Sequence, residues 1–218
     1  MEKSCPKPKM PFSILPRTVL ETKSSNSGQI KVVEQLGRYR LYVGKMLQSG
    51  GLLEGVWKKT IKELPEAKKV LILGLGGGTV ARQITVKWPG VAIVGVEIDP
   101  VIVKLGKNYF GLDEIPGLEI VIEEATAWVE KTAKEREKFD LVIIDTYLED
   151  EMPQNCQKPA FFNTIKKIIA KNGVVVFNQL LVKGKQKRSA KAIEEFQKLF
   201  PRTKLVKTAT NLLILGSF

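Results

Sequence analysis

An apolar run from Val70 to Leu73 leads into Gly74-Leu75-Gly76-Gly77-Gly78 and then into an amphipathic segment. Glycines at this spacing let a chain turn sharply and bring main-chain N–H groups and a helix N-terminus close to a polar ligand. The next apolar run ends at Glu97, about 20 residues after the glycines, where an acidic side chain can accept both hydroxyls of a ribose. Together these residues read as a nucleoside site. The competing structural reading is a glycine-rich turn and a solvated strand end, and the spaced Glu97 weighs against it.

A dinucleotide site would use the same turn and the same acid, so the later strands have to decide. The third run ends at Glu123 and Glu124, where a carboxylate can accept from an adenine amino group. The fourth, FDLVIIDTYLED, ends at Asp145. Ligands of open α/β sheets bind outside the carboxyl ends of the strands, near the point where strand order reverses, which places Asp145 over that crevice. Its alternative role is that of a capping or loop carboxylate. Tyr147 directly follows, either contacting an acceptor or packed into its loop.

Composition narrows the chemistry. The chain has 218 residues, no His and two Cys, Cys5 and Cys156, in unlike contexts. Without imidazole, Ser-His-Asp, Cys-His and His-based metal chemistries are excluded, and proton handling falls to carboxylates, Tyr, Lys, main chain or water. No metal is expected. Lone cysteines without CxxC spacing point to a reducing compartment. No run approaches the ~20 apolar residues of a membrane span, and no apolar segment follows the first lysines, so a cytoplasmic protein without a membrane partner is expected.

Those residues need a scaffold, and the hydrophobic pattern supplies one. Apolar strands are expected at 70–73, 92–96, 118–122, 141–144, 174–177, 204–207 and 211–215. Helices are expected at about 79–88, 100–109, 125–136, 157–171 and 186–199, with Gly173 ending the fourth. Strands apolar on both faces, alternating with amphipathic helices, predict a Rossmann-like, doubly wound α/β sheet of seven strands, its last pair antiparallel. Before it, 29–66 reads as a small β-hairpin or meander plus a helix. Residues 1–28, rich in Pro and Ser, read as a flexible arm, and 67–218 as the nucleoside-binding domain. Trp57, Trp88 and Trp128 fall at helical positions expected to face the core.

The order GLGGGT, VEIDP, EEATAWV, FDLVIIDTY, a Phe-Phe helix and KNGVVVFNQL resembles the spermidine synthase group of class I S-adenosylmethionine-dependent methyltransferase-fold proteins. The preceding GQIKVVEQLGRYRLYVGKMLQSG is similar to that group's small N-terminal β domain. The resemblance implies a nucleoside loop of Gly74, Leu75, Gly76, Gly77 and Gly78, with Gln48 also touching the nucleoside. It further implies Glu97 and Ile98 at the ribose, Glu124 and Ala125 at the adenine, and Asp145 beside the sulfonium as the catalytic carboxylate. Tyr147, Glu149 and Asp150 would face the acceptor.

The chain also departs from the aminopropyltransferases it resembles. Gly77 and Leu148 stand where they carry Asp, and their Tyr-His-Glu stretch has no clear counterpart, with Glu54 as its nearest acid. The nucleoside half therefore looks intact and the polyamine half altered. The expected activity is transfer from S-adenosylmethionine, with methylation of an amine or other small nucleophile ahead of aminopropyl transfer from decarboxylated S-adenosylmethionine. A net charge of +12 and the basic segment 183–191 keep an RNA methyltransferase as a lesser alternative. A noncatalytic nucleoside-binding protein is another. The hairpin module implies a homo-oligomer.

Overall fold

The computed structural model describes residues 13–181 and 186–218. Cys5, the first three prolines and part of the basic segment 183–191 lie outside the described residues.

Four antiparallel strands come first: β1 (Arg17–Ser24), β2 (Gly28–Gln35), β3 (Arg38–Val43) and β4 (Met46–Ser49), joined in that order. Alternation in β2 and β3 buries Ile30, Val32, Leu41 and Val43 on one face, against Ile102 and Leu105 of a later helix. β1 corrects the expectation of an irregular arm up to residue 28. Its pattern is weakly alternating, but pairing along β2 satisfies its main chain, and Val19 and Leu20 pack against the same apolar face.

After α1 (Leu53–Lys62) the expected alternation begins: β5 (Lys69–Leu73), α2 (Thr79–Lys87), β6 (Ala92–Glu97), α3 (Pro100–Phe110), β7 (Leu118–Ile122), α4 (Ala125–Glu135), β8 (Phe139–Ile144), α5 (Pro159–Ile168) and β9 (Ile169–Leu180). It closes with α6 (Gln186–Leu199), β10 (Arg202–Lys207) and β11 (Asn211–Ser217). The strands form one sheet in the order β10-β11-β9-β8-β5-β6-β7. The five from β9 to β7 run parallel, and β11 pairs antiparallel with both β9 and β10. Chain order reverses between β5 and β8, so the carboxyl ends of β5, β6 and β8 frame the switch-point crevice.

Helices cover both faces. Residues of α4, α5 and α6 pack on one, where Phe162, Phe177, Phe196 and Phe200 form a run of ring contacts. Residues of α1, α2 and α3 pack on the other. Each such side chain contributes about 1.5–3 kcal/mol on burial. Trp57 and Trp128 are buried as expected, while Trp88 is half-buried just beyond α2, with the Lys87 ammonium over its ring.

One boundary differs instructively. The chain leaves α5 at Ile168 and enters β9 at once, so Gly173 is a strand residue and not a helix stop. A Cβ there would meet the Asp140 carbonyl oxygen at 2.9 Å, beside the register shift between Phe139 and Leu141. The bulge needs a residue without a side chain.

Candidate functional site

Three strand ends converge on a cleft of about 840 Å³, including its open mouth. From β5 come Gly74, Leu75 and Gly76; from β6, Glu97 and Ile98; from β8, Asp145, Thr146 and Tyr147. The first turn of α4 adds Glu124 and Ala125, and the small sheet forms the opposite wall with Ser27, Gln48 and Ser49.

The glycine loop is fastened throughout. Gly74 N–H and Leu75 N–H donate to the Val96 carbonyl at 2.9 and 3.1 Å, and Gly78 N–H donates to the Leu75 carbonyl at 3.0 Å. Gly76 N–H donates to Glu97 Oε2 at 2.9 Å, and Gly77 N–H to Ser49 Oγ at 2.7 Å. Gly74 adopts a φ of 89°, which favours glycine, and passes directly over the Asp145 main chain. Gly77 and Gly78 turn away from the cleft: Gly77 sits under Ser49 and Phe110, and Gly78 over Leu112 and Ile115. Neither lines the cleft.

Glu97 is buried, and burial pushes its carboxyl above the usual range, against the lowering effect of main-chain donors at Gly76 and Asp99. Its Oε1 accepts from Asp99 N–H at 3.1 Å. A carboxylate offers about four lone-pair positions, so two main-chain donors leave acceptor capacity for a diol. Glu124 Oε2 accepts from Ala127 N–H at 2.9 Å and from the Thr126 hydroxyl, capping α4, so this carboxylate serves the helix as well as the cleft wall.

Asp145 is half-buried at the crevice. Burial pushes its carboxyl up to about 7, opposed by a hydrogen bond from Asn178 and aided by the Glu97 charge. Asn178 Nδ2 donates to Asp145 Oδ1 at 2.6 Å. The Tyr147 hydroxyl donates to the Asn178 carbonyl at 3.1 Å and accepts from Leu180 N–H at 3.0 Å, which anchors its ring on β9 although the residue still lines the cleft. Cys156, also on the wall, is buried, with its thiol pushed up to about 11 by burial.

The loop after β8 is where expectation and structure part. Leu148 and Glu151 bridge across a tight turn, with Glu149 at a φ of 55°. The Glu149 carboxyl lies against Gly44, where a Cβ would stand 2.8 Å from Oε1. Glu149 and Asp150 line an adjoining surface that shares Leu148 and Pro153 with the cleft, and the Glu149 carbonyl accepts from Gln48 Nε2 at 3.3 Å. Glu54 projects from α1 into a different groove. Ser49 and Trp57 line the cleft and Asn178 bonds to Asp145, although none was singled out as a site residue. For Asn178 a signal existed: a polar residue closes an apolar strand one register step beyond the Ile144–Phe177 pair, beside Asp145.

No Lys or Arg lines the cleft among the described residues, although the chain carries a net charge of +12. Four carboxyl groups do: Glu97, Glu123, Glu124 and Asp145. A pyrophosphate would meet spent N–H groups and acidic walls, whereas a cationic nucleoside would meet complementary charge.

The sequence matches the Spermine/spermidine synthase domain over residues 55–214. The chain belongs to that family. A probable polyamine aminopropyl transferase of Bifidobacterium longum (strain NCC 2705) is 28% identical over 166 residues, 76% of this chain and 34% of that protein. An eEF1A lysine and N-terminal methyltransferase homolog of Drosophila pseudoobscura pseudoobscura is 32% identical over 140 residues, 62% of this chain and 20% of that protein. The chain thus spans about a third or less of these two relatives. Spermidine synthase from Thermotoga maritima shares the fold, with a TM-score of 0.75 and 19% identity over 92% of this chain and 72% of that one. The expected class I methyltransferase fold with an N-terminal β extension holds, and within this family the extension is here a four-stranded sheet.

Proposed function

We infer that the protein is an adenosyl-sulfonium-dependent transferase acting on an amine or similar small nucleophile, with methyl transfer from S-adenosylmethionine as the first reading. The observation that carries it is the cleft itself: four carboxyl groups and no described cation around a fastened glycine loop in a strongly basic chain. Such a cleft suits a nucleoside bearing a positive sulfur and an acceptor bearing a protonated amine.

The residues fit the donor. Glu97 keeps acceptor positions for the ribose hydroxyls, Gly74 and Gly76 line the cleft with main chain, and Ala125 and Glu124 border the adenine end. Gln48, on the small sheet, stands on the opposite wall. In the transfer, the acceptor nitrogen attacks the carbon next to sulfur; the new C–N bond forms as the C–S bond breaks, and the bonding pair leaves with the neutral thioether. The amine proton passes to Asp145 or through it to water. Without donor that carboxyl stands at about 7, and the bound sulfonium, by lowering it, keeps it ionised to accept the proton. Alignment in the cleft supplies much of the remaining acceleration.

Methyl transfer is preferred on the acceptor side. A diamine needs a counter-charge for its distant ammonium, yet Leu53, Trp57 and Leu148 line the cleft while Glu149 and Asp150 do not. The second reading, aminopropyl transfer from decarboxylated S-adenosylmethionine, is favoured by the names of several relatives, the B. longum protein among them. Incubation with both donors and a panel of mono- and diamines, read by mass spectrometry, separates the two. Products heavier by one methyl group support the first reading, and products heavier by one aminopropyl group replace it with the second.

A further inference from the structure

Behind Asp145 lies a line of amides that serves no element of secondary structure. Asn178, 2% exposed, donates through Nδ2 to Asp145 Oδ1 at 2.6 Å. Its Oδ1 accepts from Asn211 Nδ2 at 2.9 Å, and Asn211 is 1% exposed. Asn211 Oδ1 in turn accepts from the Thr210 hydroxyl at 2.5 Å. Every donor in this line points toward Asp145. The polarity is set from the carboxylate outward: ionised Asp145 only accepts, so the Asn178 nitrogen faces it, the Asn178 oxygen accepts from Asn211 Nδ2, and the Asn211 oxygen is left to accept from the Thr210 hydroxyl.

Two buried asparagines at strand ends of the sheet are costly unless their hydrogen bonds are made, and here each is bonded to the next. The partners come from three different strand ends. β9 carries Asn178, β11 carries Asn211 with Thr210 just before it, and β8 delivers Asp145. The Asn178 carbonyl is fixed as well, accepting from the Tyr147 hydroxyl at 3.1 Å and from Gln179 Nε2 at 3.1 Å.

We propose that Asn178 is a positioning residue for Asp145, and that Asn211 and Thr210 hold its amide in the one orientation that presents a donor to the carboxylate. The line ties Oδ1 to the sheet, leaving Oδ2 as the atom free to meet the reacting amine. It also gives the ionised form a donor in a site that otherwise disfavours charge. The titratable groups facing Asp145 are Glu97 from β6, Tyr147 from its own loop, Glu123 and Glu124 from the β7 end and Cys156 across the cleft. None of them supplies a positive charge, so the amide line is the compensation the site contains. This proposal rests on the transferase reading only for what Asp145 does in turnover; its effect on Asp145 itself is measurable without any substrate.

The test follows the Asp145 carboxyl by carbon-detected NMR titration, assigned by difference against Asp145→Asn, in the parent protein and in Asn178→Ala, Asn211→Leu and Thr210→Val. Thr210 is exposed, so its variant leaves the core intact even if a buried substitution impairs folding. The Asp145 midpoint is expected to rise by roughly one pH unit or more in Asn178→Ala, less in Asn211→Leu and least in Thr210→Val. The acidic limb of the rate profile should move with it, with kcat reduced and donor affinity unchanged at a pH above both midpoints. Folded variants whose Asp145 midpoint and rate limb match the parent's overturn the proposal. A parent that binds no donor, yet shows the displaced midpoints, overturns the transferase reading and leaves the amide line standing.

Discussion

The Cβ that Gly74 lacks would stand 2.2 Å from the main-chain oxygen of Asp145. The end of β5 and the end of β8 touch backbone to backbone, so the glycine loop and the Asp145 carboxylate are positioned by one contact. Gly74→Ala must separate them and also strain a φ of 89°. It is expected to cost at least about 2 kcal/mol by denaturant titration. Donor affinity should fall at the same time, because Gly76 and Glu97 follow the same turn.

A second contact fastens the small sheet to the loop. Ser49 Oγ accepts from Gly77 N–H, and Gly50 N–H donates to Thr79 Oγ1 at 3.0 Å. Ser49→Ala is expected to lower stability by about 1 kcal/mol and to weaken donor binding, since a buried N–H loses its acceptor. Gly77→Asp is expected to do more damage, because its Cβ would lie 2.8 Å from both the Cβ and Oγ of Ser49. Restoring the aspartate that aminopropyltransferases carry therefore should not restore aminopropyl transfer by itself, which mass-spectrometric analysis of products would show.

Asp145 makes stability depend on pH with a definite sign. Its folded carboxyl is raised from 3.8 to about 7, so the native state holds a proton that the unfolded chain releases. The contribution is fully present below about pH 4 and is lost as pH rises through about 7. Conversion of the whole shift gives an upper bound of about 4 kcal/mol. Partial exposure lowers the expected loss to roughly 1–3 kcal/mol. Asp145→Asn should match the parent near pH 4 and exceed it by that amount at pH 8, while turnover falls by at least about 100-fold. Equal stability of the two proteins at pH 8 would contradict the burial argument.

Much of this arrangement was readable in the residues. The two-faced apolar strands, the glycine turn and the acids at three successive strand ends fix a doubly wound sheet and its switch point, because period and spacing are local properties. The parts that were not readable depend on pairing. Arg17–Ser24 becomes a strand only because β2 offers a ladder, and Glu149 leaves the cleft only because Leu148 and Glu151 bridge beneath it. Ser49 and Asn178 gain their roles from partners 28 and 33 residues away, a distance no local pattern encodes.

A positive sulfur beside Asp145 should pull that carboxyl back down, so binding of a sulfonium donor near pH 6.5 should release a proton. Calorimetry in buffers of different ionisation enthalpy would detect the release as a buffer-dependent heat. Methylthioadenosine, a neutral thioether, should bind with little or no such dependence, and Asp145→Asn should abolish it for both ligands.

The most direct test is calorimetric titration of the protein with S-adenosylmethionine, decarboxylated S-adenosylmethionine and methylthioadenosine, repeated with Glu97→Ala. Saturable binding with intact S-adenosylmethionine preferred, weakened about 100-fold or more in the variant, is the predicted result. Preference for the decarboxylated donor would exchange methyl for aminopropyl transfer, and failure to bind any of the three would contradict the nucleoside site itself.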